Sequence, residues 1–309
     1  MPELPNIVTY IEALEERVLG ARLERITLYH PFLLRSVEPP PESCHGQTVS
    51  ALHRAGKQIG LELSGGQFIA LHLMIAGRLK WLEKPPASRG GKAVLADFAF
   101  SSGVLRLTEA GTKRRAALRI LPDRPTFEGL RRGGVEPLEC STETFAQALR
   151  RENHTLKRAL TDPRIVSGIG NAYSDEILHA AGLSPFLLTG SATGAQIETL
   201  HNATIRVLNE WITLLRTERD TAFPGTVTAF HPQMSVHGRF DQPCPVCGTT
   251  IQRIRYAENE TNYCPRCQTE GKVYADRALS RLLKNDWPRD IDELERLSER
   301  GGVDRRNSG

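Results

Sequence analysis

Four of the six cysteines fall in one stretch, CPVCGTTIQRIRYAENETNYCPRC, and it constrains the fold more than any other feature of the 309 residues. Cys244 and Cys247 form one C-x-x-C, Cys264 and Cys267 a second, with sixteen residues between the pairs. Each pair can turn two thiolates toward one tetrahedral zinc, and the span between them suits a β-hairpin. A unit this small has no core of its own, so the ion is expected to be structural, a single zinc with no His ligand and no open position for activating water. Cys44 and Cys140 stand apart and read as ordinary thiols, and a disulfide framework is not suggested for a chain of this kind.

Hydrophobic periodicity divides the rest. Ile7, Ile11, Leu14 and Val18 recur at helical spacing, with Gly20 as a stop, so the residues after MPELPN enter an amphipathic helix whose apolar stripe needs a core. ERITLYH alternates, while QIGLEL and QFIALHL flank SGG, and LADFAF and VLRLTEA flank SSG, as two hairpins. PDRPTFEGLRRGGVEP reads as a linker. The period then turns helical: ETFAQALRR, TLKRALTD, AYSDEILHAAG, and a long segment with Ile197, Leu200, Ile205, Leu208, Trp211 and Leu215 on one side. The fold class expected is multidomain α+β, with domains at 1–122, 141–238 and 239–270, a linker at 123–140, and a 271–309 extension. In that extension DRALSRLLK and DIDELERL read as helices and the final residues as disordered.

The net charge of +4 by itself implies no polyanion partner. Basic residues nonetheless recur in TKRRAALR (112–119), at 131–132, at 150–151 and in TLKRALTDPR, a pattern compatible with a phosphate-tracking surface. No apolar run approaches the roughly 18 residues of a membrane span, and no signal pattern opens the chain, so a cytoplasmic, nucleoid-associated monomer is expected. In VSGIGNAYSDEIL, a Gly-x-Gly-Asn turn before a helix offers backbone N–H groups and the Asn171 amide to an anion such as a DNA phosphate. Without further context a glycine-rich helix–helix turn explains it equally well. Likewise MPELPN, taken alone, reads as a solvated terminus.

PELP at the start, Arg-Ala-Gly-Lys at 54–57, HLMIAGRL at 72–79, GIGNAYSDEIL and the four-cysteine finger occur in this order over residues 1 to about 268. Together they resemble the formamidopyrimidine-DNA glycosylase/endonuclease VIII family. The resemblance implies an N-terminal antiparallel β-sandwich with a leading helix, a helix–two-turn–helix domain and a zinc β-ribbon, with duplex DNA between the halves. It implies a bifunctional glycosylase and abasic-site lyase acting on damaged bases by β- and δ-elimination. Pro2, N-terminal once Met1 is removed, would be the nucleophile at C1′, and Glu3 would protonate the deoxyribose ring oxygen. Lys57 and Asn171 would grip backbone phosphates. Met74 would fill the gap left when the target base is flipped out. Outside this register Lys57 reads as a solvated strand lysine and Met74 as core.

The pattern also breaks. Position 6 is Asn where the formamidopyrimidine branch has a second Glu. Arg114 and Arg115 match the arginines of that branch's wedge, one of which would take the place of the widowed base, but Ala116 stands where its aromatic belongs. Asn259 stands where the family's finger has its phosphate-pinching arginine, with Arg253 or Arg255 as candidate substitutes at a spacing that does not guarantee the role. The 219–238 loop is short, and about forty residues follow the finger. These breaks spare the nucleophile and the backbone grip and alter what selects the lesion. A catalytically weak DNA-damage or DNA-structure binding protein is therefore the alternative, and 8-oxoguanine is not assumed.

Overall fold

The computed structural model describes residues 1–88, 90–111, 113–225, 230–256, 259–275 and 288–304. Chain contacts divide it into two compact units, Met1–Glu136 with Leu208–Ala229, and Pro137–Val207 with Phe230–Gly309.

The first unit opens with α1 (Leu4–Val18). Pro5 lies in its first turn, where a missing N–H costs nothing. Eight strands follow: β1 (Leu23–Leu28), β2 (Val49–Ala55), β3 (Gln58–Leu63), β4 (Phe68–His72), β5 (Gly77–Leu82), β6 (Val94–Phe100), β7 (Gly103–Glu109) and β8 (Ala117–Leu121). They form two antiparallel four-stranded sheets, ordered β1-β6-β7-β5 and β2-β3-β4-β8. Both hairpins read from the sequence are present, as β3–β4 and β6–β7. Ile7, Tyr10, Leu14 and Val18 of α1 share one buried cluster with Leu61, Leu71, Leu79, Phe98, Leu107 and Leu118 from both sheets. A sandwich whose core includes the first helix anchors the chain start, because unseating residue 7 would expose the stripe to water.

The segment read as a linker begins with structure of its own. Asp123 caps α2 (Arg124–Glu128) by accepting from Thr126 N–H at 2.8 Å. Phe127 of α2 is buried, stacked on Phe68 with ring centroids 5.0 Å apart. Gly60 makes room for it: a Cβ there would lie 2.4 Å from the Phe127 ring.

The second unit carries α3 (Thr142–Arg150), α4 (Leu156–Thr161) and α5 (Asn171–Ala180). Ser141 and Thr155 cap the first two through their hydroxyls. The 26-residue α6 (Gly194–Arg219) contributes residues to both units. Its buried stripe runs through Ile197, Leu200, Ala203, Val207, Leu208, Trp211 and Ile212, so Val207 and Ile212 are buried where the sequence reading had Ile205 and Leu215. A ribbon of β9 (Gln252–Tyr256) and β10 (Asn259–Tyr263) leads to α7 (Pro265–Gln268). The last helix, α8 (Ile291–Asp304), runs on through Gly301 and Gly302, beyond the stop near Leu297 that the sequence suggests. The expected helix DRALSRLLK lies outside the described residues. No helix among the described residues is long and apolar enough to cross a membrane.

Candidate active site and nucleic-acid interface

Pro2 and Glu3 are buried at the head of α1. Glu3 and Asn6 close a capping box across the first turn, with Glu3 N–H donating to Asn6 Oδ1 at 3.0 Å. The Met1 α-amine is held below its usual pKa, first by burial and then by the Arg78 and Lys57 charges, with Glu3 opposing. Glu3 and Lys57 thus both act on the amine that adjoins Pro2. Arg78 joins them, a neighbour the sequence reading missed. Lys57 owes its place to a two-residue turn: Ala55 pairs with Gln58, leaving Gly56 and Lys57 at the tip of the β2–β3 hairpin.

Across the sheet Gln58 pairs with His72, and from there the chain enters the turn bearing Met74. Met74 has a left-handed backbone (φ 51°) and its N–H donates to His72 Nδ1 at 3.0 Å. That bond assigns the His72 proton to Nε2, which can donate to an acceptor. Burial, then Lys57, Arg119 and Arg132, press the imidazole down to about 4, so His72 is neutral at physiological pH. The turn closes with Gly77 N–H on Leu73 O at 2.8 Å. A Cβ on Gly77 would lie 2.2 Å from that oxygen, so no other residue fits. Met74 is half-buried, whereas Ile75 beside it is 54% exposed, and Ile75 is a second residue the sequence reading passed over.

The β7–β8 connection carries the two arginines. Buried Glu109 accepts the N–H groups of Arg115 and Ala116, at 3.0 and 3.1 Å. Arg114 donates to Lys92 O at 2.7 Å, and the Arg115 side chain is exposed. Ala116 points into the sandwich as part of its core and offers nothing to a base stack.

In the second unit Asn171 is the first residue of α5, after the Gly168 and Gly170 turn. Lys157 Nζ donates to Asn171 O at 2.6 Å and to Asp175 Oδ1 at 2.5 Å. Asp175 Oδ2 in turn meets His237 Nδ1 at 2.8 Å and the Asn262 amide at 3.1 Å. Glu176 accepts three successive backbone N–H groups from Ser235, Val236 and His237. All of these side chains are buried. A buried amine, aspartate, imidazole and amide thus fix the helix start that carries Asn171, none of which a periodicity argument could show.

The four cysteine sulfurs lie within 4.8 Å of one another. Cys244 and Cys267 are 3.9 Å apart and Cys247 lies 3.4 Å from both Cys264 and Cys267, against ~3.8 Å between thiolates 2.3 Å from a tetrahedral zinc. Gly248 N–H to Cys244 O at 2.9 Å and Gln268 N–H to Cys264 O at 3.0 Å close the two knuckles. Without metal, burial and then its thiol neighbours push Cys267 up to about 12, so a zinc must displace protons to bind. His179, a buried imidazole held below its usual pKa by burial, lies 3.4 Å from Cys244 Sγ and can donate to that sulfur. On the ribbon, Arg253 sits 4.3 Å over the Phe240 ring and 3.8 Å from Glu260, while Arg255 is exposed. Asn259 is exposed at the β10 end.

Three known domains match the chain in order. They are the formamidopyrimidine-DNA glycosylase N-terminal domain over residues 1–116, its H2TH domain over 134–221, and the zinc finger found in FPG and IleRS over 241–269. The formamidopyrimidine-DNA glycosylase of Desulforamulus reducens is 32% identical over 281 residues, covering 87% of this chain and 99% of its own length. The chain belongs to the formamidopyrimidine-DNA glycosylase family. A formamidopyrimidine-DNA glycosylase-like protein of Mycobacterium tuberculosis is 41% identical over 151 residues, 49% of this chain and 94% of that protein. Among solved structures, the Lactococcus lactis Fpg in complex with abasic-site DNA superposes with a TM-score of 0.75 at 25% identity, covering 86% of this chain and 99% of that one. As in the rest of the family, the sandwich, H2TH and four-cysteine finger follow one another, and the cysteines hold one structural zinc.

Proposed function

We propose that this family member excises damaged bases from duplex DNA and cleaves the abasic site it makes, with the Pro2 nitrogen as nucleophile once Met1 is removed. The observation that carries the reading is the burial of Pro2 at the head of α1, beside a Met1 amine that burial and the Arg78 and Lys57 charges lower and Glu3 raises; the Pro2 nitrogen freed by removal of Met1 would meet the same surroundings. A lowered pKa leaves more neutral amine at pH 7, and an N-terminal secondary amine needs no further activation to attack a sugar carbon. The nitrogen lone pair bonds to C1′ as the C1′–base bond breaks. Glu3 gives a proton to the ring oxygen, the sugar opens, and the nitrogen loses its proton to form the iminium. Loss of a C2′ proton then expels the 3′ phosphate, and a second elimination expels the 5′ phosphate. Water finally frees Pro2.

Lys57, His72 Nε2–H and Asn171 supply donors for phosphates. Met74, with the exposed Ile75, supplies apolar surface to refill the stack, and Arg115 supplies a cation for the widowed base. Such phosphate contacts make binding fall steeply with salt.

The second reading, a DNA-damage binder without strong excision, gains support from Ala116, whose burial leaves no aromatic wedge at that position. Borohydride trapping on abasic-site duplex separates the two. The enzyme reading expects a covalent adduct alongside gel retardation; retardation with no adduct would establish the binder.

A further inference from the structure

The matched zinc-finger domain stops at residue 269, yet the chain beyond it folds back onto the finger. Lys272 pairs with Asp290 in an antiparallel bridge, and Ile291 N–H donates to Gly271 O at 2.8 Å. This seats Ile291, the first residue of α8, at 2% exposure. Gly271 is left-handed (φ 85°), and a Cβ on it would lie 3.8 Å from Ile291 Cγ2, so the isoleucine packs over the bare glycine. Val273 is buried too.

The seat rests on α7, which carries Cys267 and starts directly after Cys264. Gly271 N–H donates to Pro265 O at 3.0 Å, and the Thr269 hydroxyl meets Pro265 O at 3.0 Å and Lys272 O at 2.7 Å. Arg266 of α7 pairs with Asp292 of α8 at 2.9 Å, an exposed contact that contributes little alone. Tyr263, the buried residue before Cys264, accepts the Tyr274 N–H on its hydroxyl at 2.9 Å, and the Tyr274 ring lies 4.3 Å from that of Phe186. Gln268 accepts the Cys264 N–H at 2.9 Å and donates to Leu183 O at 3.0 Å.

The two knuckles are therefore unequal. Cys247 is exposed and its neighbour Val246 is 74% exposed, so a competing ligand meets the first knuckle directly. Cys264 is fully buried, and Cys267 cannot swing outward without moving α7, which would bring Ile291 into water. A closed tetrahedral site has no vacant position, so it gives up its metal as thiolates detach in turn.

We infer that the extension is a clasp that retains the structural zinc. Ile291, seated over Gly271, locks the Cys264–Cys267 knuckle. The Cys247 side opens first, and the metal departs only when α8 lifts from α7. Residues outside the finger domain thus set how long the finger keeps its ion.

The zinc-loaded full chain is mixed at neutral pH with excess chelator and a chromogenic zinc indicator, and the first-order release rate is read. Ile291→Val, Ile291→Ala and Leu297→Ala are compared with wild type; Leu297 lies on the same helix but is 48% exposed. Release is expected to quicken about threefold for Ile291→Val and about thirtyfold for Ile291→Ala, while Leu297→Ala matches wild type. If Ile291→Ala holds no zinc at all, the Ile291→Val rate decides. In parallel, iodoacetamide alkylation mapped by mass spectrometry during release should mark Cys247 before Cys264 and Cys267. Wild-type release from the Ile291 variants, acceleration by Leu297→Ala equal to that of Ile291→Val, or marking of Cys264 and Cys267 ahead of Cys247 would each overturn the inference.

Discussion

The two units place their working residues by different physics. In the first, backbone geometry does it: a two-residue turn sets Lys57, a left-handed Met74 and an obligatory Gly77 shape the turn beside His72, and a capping box sets Glu3. In the second, buried charge does it: Lys157, Asp175, His237 and Asn262 tie the start of α5 to the ribbon, and four thiols close the ribbon. Turns tolerate change at exposed positions. A buried ionic network does not, because removing one partner strands the others without water. The difference teaches that chemistry and grip should fail separately, the first through single atoms and the second through lost stability.

The largest effect should come from the nucleophile. Pro2→Gly is expected to slow adduct formation with abasic-site DNA by roughly a hundredfold or more while retaining most binding. An unchanged rate would remove Pro2 from the reaction and with it the claim that the first unit is the chemical one.

Next comes the network. Asp175→Ala leaves the Lys157 ammonium buried and unpaired, a loss of about 3–5 kcal/mol that should lower the thermal midpoint of the second unit and weaken DNA binding. A midpoint equal to wild type would show that buried charge does not hold this unit. Cys247→Ser, or zinc removal by a chelator, should loosen the ribbon and cut DNA affinity, more readily at low pH because protons compete for the thiolates. Undiminished binding by the metal-free chain would contradict the structural role.

A pH profile separates the units from the other side. The burial and the Arg78 and Lys57 charges that lower the Met1 amine are expected to act likewise on the Pro2 nitrogen once Met1 is removed, so trapping should rise with pH through a lowered pKa and then level off. Lys57 contributes to that lowering, so Lys57→Met should move the rise toward higher pH, by up to about one unit, even at saturating protein. A profile that stays put would leave Lys57 with phosphate binding alone. The smallest effect is expected from exposed Arg255: Arg255→Ala should weaken binding a few-fold and reduce the salt slope by about 1. If Arg253→Ala does more, the ring-stacked arginine is the phosphate contact.

Much of this was legible in the sequence because it follows local rules. The C-x-x-C pairs, the SGG and SSG hairpins, the α1 stripe and the Gly-x-Gly-Asn turn each declare themselves within a few residues. What stayed hidden depends on long-range pairing. Asp175, His237 and Asn262 are far apart in the chain and meet only in the fold. Arg78 passes without comment inside HLMIAGRL, and only the fold, through β5, brings its charge to bear on the chain start. The 123–140 segment looked like a linker because Pro, Gly and Arg dominate it, yet its one aromatic residue, Phe127, anchors a helix on the sheet. Asn6 was visible as a departure, but its part in the α1 capping box, where its Oδ1 accepts the Glu3 N–H, shows only in the fold.

The account turns on which atom bonds to the sugar. Reduce the complex formed with abasic-site DNA, digest it, and locate the modified residue by tandem mass spectrometry. The account predicts a deoxyribose remnant on the nitrogen of residue 2 in a chain lacking Met1. Attachment at a lysine side chain, or to a chain that still carries Met1, would contradict it.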